Sequence, residues 1–351
     1  MKSFRAIGGM SGTSLDGLDI VLCNFKHQNK WSFSIEKSQT VNYNKKWKTK
    51  LSNAPSLTGY DLNILDLEFG GFIAEAINTF LENTETKADV IASHGHTIFH
   101  QPEKRLTLQI GNGHEIAVQT GLKTITNFRA LDVALGGQGA PLVPVGDELL
   151  FSDFDFCLNI GGFANISYSD NSKRFAYDIG PANIILNYLT NKIGHDYDKN
   201  GALGVLGNSD PELLNTLNSL EYYSRKPPKS LGREWLEHYF MPILDNSQLL
   251  IHDKLRTVYE HIALQISGAF NLKQQSKTLV TGGGAYNKLL IKLIKKNTKS
   301  ELIIPDKDIV DYKEALIFSL LGILKLEGKA NCLSSVTGAR KNSSTGNIYS
   351  P

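Results

Sequence analysis

Apolar and polar positions along this chain switch between two periods. Residues 3–8 and 19–25 are short apolar runs on either side of the turn-rich stretch 10–17, which predicts a β-hairpin whose turn is rich in small hydroxyl residues. Over residues 61–81 the apolar side chains Leu62, Leu65, Phe69, Phe72, Ile73, Ile77 and Phe80 recur at helical spacing, so this helix must bury one face. Residues 89–93 predict a short core strand that ends in His94-Gly95-His96-Thr97. Residues 123–126 predict another, before a glycine-rich loop at 136–139. Strands alternating with helices give an α/β layer.

The second half opens on the same plan. An apolar strand over 154–160 is followed by Gly161-Gly162 and then by strands over 165–168 and 174–177, the trace of a duplicated domain. Beyond it the pattern predicts a helix over 255–270 and a strand over 278–281 that runs into Gly282-Gly283-Gly284. Helices follow over 287–296 and 313–325, while Pro227-Pro228 and the aromatic segment 235–240 read as a loop or lid. At 351 residues the chain suits two domains around a cleft. The boundary is expected near Phe128, giving lobes 1–128 and 129–351.

Charge narrows the partners. The 37 basic and 35 acidic side chains nearly cancel, and no basic run is interleaved with aromatics, which argues against nucleic acid. No run of ~18 apolar residues offers a membrane span, and Lys2 and Arg5 have no apolar segment behind them to make a secretion signal. Cys23, Cys157 and Cys332 are odd in number and lack metal-ligand spacing, so they read as buried small hydrophobes in a reducing compartment. These features predict a cytoplasmic protein with a small-molecule partner, with homodimerisation left open.

Three glycine clusters carry the chemistry. Ser11-Gly12-Thr13-Ser14-Leu15-Asp16-Gly17 offers backbone N–H groups, hydroxyl donors and a carboxylate, as a polyphosphate cradle requires, although ordinary turns use the same residues. It is not a Walker loop, since no lysine lies near it. Asn159-Ile160-Gly161-Gly162 repeats the idea in the second half. Gly282-Gly283-Gly284 follows a strand and opens a helix, but Asn287 stands where a dinucleotide fingerprint has its third glycine. Together the three clusters favour a nucleotide.

Among titratable residues, Asp178 ends a strand just before Gly180-Pro181, so it either caps the next helix or serves as a general base. Arg129 suits an anionic sugar substituent, or else an ion pair with Asp132. Glu314 reads as a first-turn dipole partner or as a cleft residue. His94, His96 and His100 lack the companions of a zinc site.

In order, Gly9-Met10-Ser11-Gly12-Thr13-Ser14-Leu15-Asp16-Gly17-Leu18-Asp19, Ser93-His94-Gly95-His96-Thr97, Gln109-Ile110-Gly111-Asn112, Phe128-Arg129, Gly136-Gly137-Gln138-Gly139-Ala140-Pro141-Leu142-Val143-Pro144, Asn159-Ile160-Gly161-Gly162, Asp178 with Gly180-Pro181 and Asn183, and Gly282-Gly283-Gly284-Ala285 resemble the anhydro-N-acetylmuramic acid kinase family over nearly the whole chain. The resemblance implies a two-lobed α/β fold of the actin/hexokinase kind, with duplicated ribonuclease H-like domains and a central cleft. It also implies ATP with Mg²⁺, and a reaction in which water opens a 1,6-anhydro ring while O6 takes the γ-phosphate.

By that resemblance Asp178 is the general base, and Ser11 to Leu18 with Gly161, Gly162, Gly282, Gly283 and Gly284 hold the nucleotide. His96, Gln109, Arg129, Gly180 and Asn183 face the sugar, and Glu314 assists catalysis or, with Asp178, holds Mg²⁺. His96 stands where the family pattern has glutamine, Asn127 where it has an acidic residue, and Ile179-Gly180-Pro181-Ala182 where it has Cys-Gly-Pro-Gly. The His96 and Asn127 departures leave the phosphate machinery alone but touch the sugar end, so levoglucosan is an alternative acceptor. An ATP-independent glycosidase using Asp178 and Glu314, or a sugar-sensing nucleotide-binding protein, are readings from other classes.

Overall fold

The computed structural model describes residues 2–12, 14–82, 84, 87–273 and 275–351. The chain divides into two compact units, Met1–Leu150 with Tyr312–Pro351, and Phe151–Asp311.

In the first unit, β1 (Lys2–Ser11), β2 (Gly17–His27) and β3 (Trp31–Asn42) form an antiparallel meander. β4 (Val90–Gln101) runs parallel to β1, β5 (Leu106–Ile110) pairs antiparallel with β4, and β6 (Thr124–Thr126) lies parallel to β4. The second unit repeats the meander in β7 (Phe156–Ile160), β8 (Phe163–Asp170) and β9 (Lys173–Pro181). Its parallel strands are β10 (Lys277–Thr281) and β11 (Glu301–Ile303). β12 (Asn347–Tyr349) returns to the first sheet beside β6.

The two sheet orders, β12-β6-β4-β1-β2-β3 and β11-β10-β7-β8-β9, share one plan: a meander whose first strand is flanked by parallel strands on its far side. That is the ribonuclease H-like arrangement, present twice, as the repeated sequence plan predicts. It makes the molecule an α/β protein of the actin/hexokinase class.

The helix read from the apolar stripe spans Gly59–Leu81 and buries Leu65, Phe69, Ile73, Ile77 and Phe80 in the core of the first unit. Its end is set by Thr58, whose hydroxyl accepts the Asp61 N–H at 3.2 Å. The expected boundary near Phe128 moves to Leu150, and residues 312–351 leave the second unit for the first. The reason is the helix Lys307–Leu326, whose backbone lies against β1. A Cβ on Gly8 would stand 1.9 Å from the Ala315 carbonyl oxygen, so only glycine permits this approach.

Two further expectations change. The loop or lid over 235–240 is helical: Arg233–Trp235 leads into a π-turn at Leu236–Phe240 and then the helix Met241–Asn246. Leu236, Phe240 and Leu244, four residues apart, put one stripe into the core of the second unit. The strand β3 was not expected; Trp31, Phe33 and Ile35 alternate with polar residues and are half-buried, and none of its side chains is fully buried. Among the described residues no helix is long and apolar enough to cross a membrane.

Candidate active site

In the first unit, the turn between β1 and β2 closes with Leu15 N donating to Gly12 O at 3.3 Å and Tyr43 N to Asp16 O at 3.1 Å, and Leu15 takes a positive φ of 61°. Thr13 lies outside the described residues. Ser14 and Asp16 are exposed, and Leu18 is buried under the turn. The Ser11 hydroxyl, expected to meet phosphate, is only 1% exposed. It accepts from Tyr43 OH at 2.7 Å and shares a hydrogen bond of 2.8 Å with His96 Nδ1. His96, expected to meet the sugar, sits edge-on to Phe69 in the core, and burial lowers its pKa to about 4. Both side chains therefore brace the turn from beneath.

Space separates the glycines into two kinds. A Cβ on Gly17 would lie 2.6 Å from Val41 O, so the fold itself demands glycine there. On Gly12 the nearest atom would be Ser14 Oγ at 3.5 Å, an ordinary contact.

The second unit gathers three of the predicted motifs around Ile160. Gly161 O accepts from Asn183 N at 3.2 Å, and Gly162 O from Ala182 N at 2.8 Å and Ile184 N at 3.2 Å, so the hairpin carbonyls satisfy the start of the helix Asn183–Asn191. The Asn183 amide donates to Ile160 O at 3.3 Å. Gly284 packs so tightly on Ile160 that a Cβ would meet its Cγ2 at 2.2 Å, and Gly282 has a φ of 81°. Cβ atoms on Gly161, Gly162 and Gly283 would touch nothing nearer than 3.5 Å. Asn287 caps the helix Lys288–Asn297 by accepting from Leu290 N at 3.1 Å, which explains why asparagine stands there instead of a fingerprint glycine.

Asp178 does not cap a helix. β9 stays extended through Pro181, and Ala182 occupies the cap position without a side-chain bond. Asp178 pairs with Asn165, Gly180 pairs with Ala164, and the bulge between them leaves Ile179 as the extra residue beside Asp178. The Asp178 carboxylate is half-buried, and Oδ2 accepts from Leu231 N at 3.0 Å. Burial raises its pKa and the Leu231 N–H pulls it back. Gly180, expected at the sugar, is buried, and a Cβ there would meet Tyr223 OH at 3.2 Å.

Arg129 makes no ion pair with Asp132. Its Nε donates to His94 Nε2 at 2.9 Å and Nη1 to Gly139 O at 2.8 Å. The Asp132 carboxylate, fully buried, instead accepts from Gly139 N, Thr337 Oγ1 and Cys332 Sγ at 2.8, 2.8 and 3.1 Å. Burial lowers the Arg129 pKa to about 10 while Glu314 supports its charge. Glu314 lies two turns into its helix and so is not a first-turn dipole partner. The surrounding protein raises its carboxyl pKa, against Arg129 and Lys313, to an extent limited by its own exposure to solvent. Gln109 donates from Nε2 to Thr107 Oγ1 at 2.9 Å, and its buried Oε1 has no partner among the described residues.

Of the predicted residues, Ser11, His96, Gln109, Arg129 and Glu314 belong to the first unit, and Asp178, Gly180, Asn183 and the last two glycine clusters to the second. Among the described residues no three His, Cys, Asp or Glu side chains group as metal ligands. His94, His96 and His100 are engaged by Arg129, Ser11 and Thr107 respectively. Tyr43, Leu231 and the orienting role of His94 were not anticipated. A backbone N–H has no residue-type signature, and Tyr43 reaches Ser11 from 32 residues away.

The sequence model of anhydro-N-acetylmuramic acid kinase matches residues 4–351. The anhydro-N-acetylmuramic acid kinase of Aliivibrio fischeri is 33% identical over 98% of this chain and 99% of its own length. Those of a Sulfurovum species and of Pseudomonas syringae are each 34% identical over 99% of this chain, covering 100% and 99% of those relatives.

Proposed function

Because this chain belongs to the anhydro-N-acetylmuramic acid kinase family, we propose that it converts 1,6-anhydro-N-acetylmuramic acid and ATP to N-acetylmuramic acid 6-phosphate and ADP, a cytoplasmic step of peptidoglycan recycling. Water attacks C1, the C1–O6 bond breaks, O6 takes the γ-phosphoryl group, and Asp178 takes the proton that the water sheds. The observation that carries this reading is that the Asp178 carboxylate is spent on no helix cap and keeps Oδ1 without a protein donor among the described residues, while burial favours proton uptake.

The open space at Gly12, Gly161, Gly162 and Gly283 supports close approach of nucleotide phosphates to the backbone. With no cluster of carboxylates among the described residues, Mg²⁺ would be held chiefly by those phosphates and water, with Asp178 or Glu314 as an acidic candidate, and would neutralise charge on the transferring group. The uncommitted edge of the Arg129 guanidinium suits the lactyl carboxylate of a muramic sugar, and the orphaned Gln109 Oε1 suits a hydroxyl or amide donor. The family match disfavours both the glycosidase and the sensor, and the relatives' shared name favours the muramic sugar over levoglucosan.

Turnover in ¹⁸O-labelled water with ATP, Mg²⁺ and a panel of anhydro sugars tests the reading. The expected product is phosphorylated at O6 and labelled at C1. Ring opening without ATP would contradict it.

A further inference from the structure

β9 is the edge strand of its sheet, and at Asp178 that edge is covered by a strap, residues 225–232. Asp178 N donates to Lys229 O at 3.2 Å, Leu231 N donates to Asp178 Oδ2 at 3.0 Å, and Tyr222 OH donates to the Asp178 carbonyl oxygen. Within the strap only Lys229 and Leu231 are half-buried, and the rest is exposed. The Lys229 ammonium donates to Tyr222 O at 3.1 Å and lies over the rings of Tyr222 and Tyr177, 4.5 and 5.7 Å from their centroids.

We infer that Lys229 is a positioning residue for Asp178. Its ammonium pins the strap to Tyr222 and Tyr177, and the pinned strap presents the Leu231 N–H that fixes one carboxylate oxygen. The other oxygen is then aimed at the attacking water. The inference rests on the reading of Asp178 as general base. Loss of the ammonium leaves the loop tethered to β9 by the Asp178 N–Lys229 O bond and by the Leu231 N–H bond to the carboxylate itself, and misplacing a catalytic group by about 1 Å costs up to ~10²-fold in rate. A cation over aromatic rings tolerates arginine, so the conservative change retains the anchor.

The test compares Lys229→Met, Lys229→Arg and each change in an Asp178→Asn background. Lys229→Met should lower kcat by about 10- to 100-fold with KM for ATP and sugar and the melting temperature unchanged. Lys229→Arg should regain most of the rate, and Lys229→Met should add no loss on top of Asp178→Asn. A wild-type kcat in Lys229→Met, a loss confined to KM, or a full multiplicative loss in the double variant would overturn the inference. Should Lys229→Met melt early, the kcat of Lys229→Arg and its non-additivity with Asp178→Asn decide the matter by the same criteria. The Asp178→Asn single variant reports on the base itself, so failure of that reading is seen separately.

Discussion

Arg129 Nε donates to His94 Nε2 at 2.9 Å, and the opposite ring nitrogen of His94 stands 2.9 Å from the Gly95 carbonyl oxygen. The carbonyl can only accept, so Nδ1 carries the hydrogen and Nε2 the lone pair. Burial and the Arg129 charge hold the His94 pKa well below its usual value, which keeps the ring a neutral acceptor. A cation is thus oriented by an imidazole and a backbone carbonyl, with no carboxylate in an ion pair with it among the described residues.

From that geometry, Arg129→Lys should discriminate between sugars. Lysine keeps the charge but loses both the fork and the two orienting bonds. With charge-assisted bonds worth ~1.5–3 kcal/mol, kcat/KM for the muramic sugar should fall about 10- to 100-fold. For levoglucosan, which has no carboxylate, kcat/KM should hardly change. Steady-state kinetics on both sugars decides this, and equal losses would mark a structural arginine.

The glycines should divide by what a Cβ meets. Gly161→Ala and Gly12→Ala should melt like the parent, because an added Cβ meets nothing nearer than 3.5 Å, but should raise KM for ATP about tenfold by blocking phosphate. Gly284→Ala, with Ile160 at 2.2 Å, should instead lose ~1–3 kcal/mol of stability, as overpacked sites do. Chemical denaturation and ATP titration on the same samples check both halves. Normal ATP binding by Gly12→Ala and Gly161→Ala would rule out the cradle.

Burial of His96 makes stability depend on pH. Its folded pKa of about 4 lies below the ordinary 6.5, so between those values the unfolded chain binds the extra proton. Stability is therefore full above pH 6.5 and declines as pH falls toward 4, by at most ~1.4 kcal/mol per pH unit for one proton. His94 and His261, also depressed by burial, add to the same slope. His96→Gln, which can still bond Ser11, should flatten the dependence of melting temperature on pH in this window. An unchanged slope would show that His96 is solvated in the folded state.

Much of the fold was legible because burial leaves a period in the sequence. The stripe from Leu62 to Phe80 and the repeated strand-Gly-Gly-strand plan both found their elements. β3 was missed although Trp31, Phe33 and Ile35 alternate with Ser32, Ser34 and Glu36, a period-two signal that is short and only half-buried and that gives way to the polar run 36–40. The return of residues 312–351 to the first unit depends on Gly8 meeting Ala315, a contact between residues 307 positions apart that no local pattern encodes. At the site, Asp178 and Arg129 were visible as residue types. The choice between a helix cap and a carboxylate at a strand end waited on where β9 ends, and the contact of Ser11 with His96, 85 positions apart, has no local signature.

Asp178→Asn bears most directly on the proposed chemistry. The amide is nearly isosteric and can still accept from Leu231 N, so melting temperature and ATP affinity should match the parent. It cannot accept the water's proton, and removal of a general base costs ~10²–10⁴-fold, so product formation should fall by the upper end of that range or more. The measurement is single-sample: melting temperature, ATP affinity, and N-acetylmuramic acid 6-phosphate formed from the anhydro sugar. A folded, ATP-binding variant that makes almost no product is the predicted result, and one that turns over at near the parental rate would contradict the assignment of Asp178 as the base.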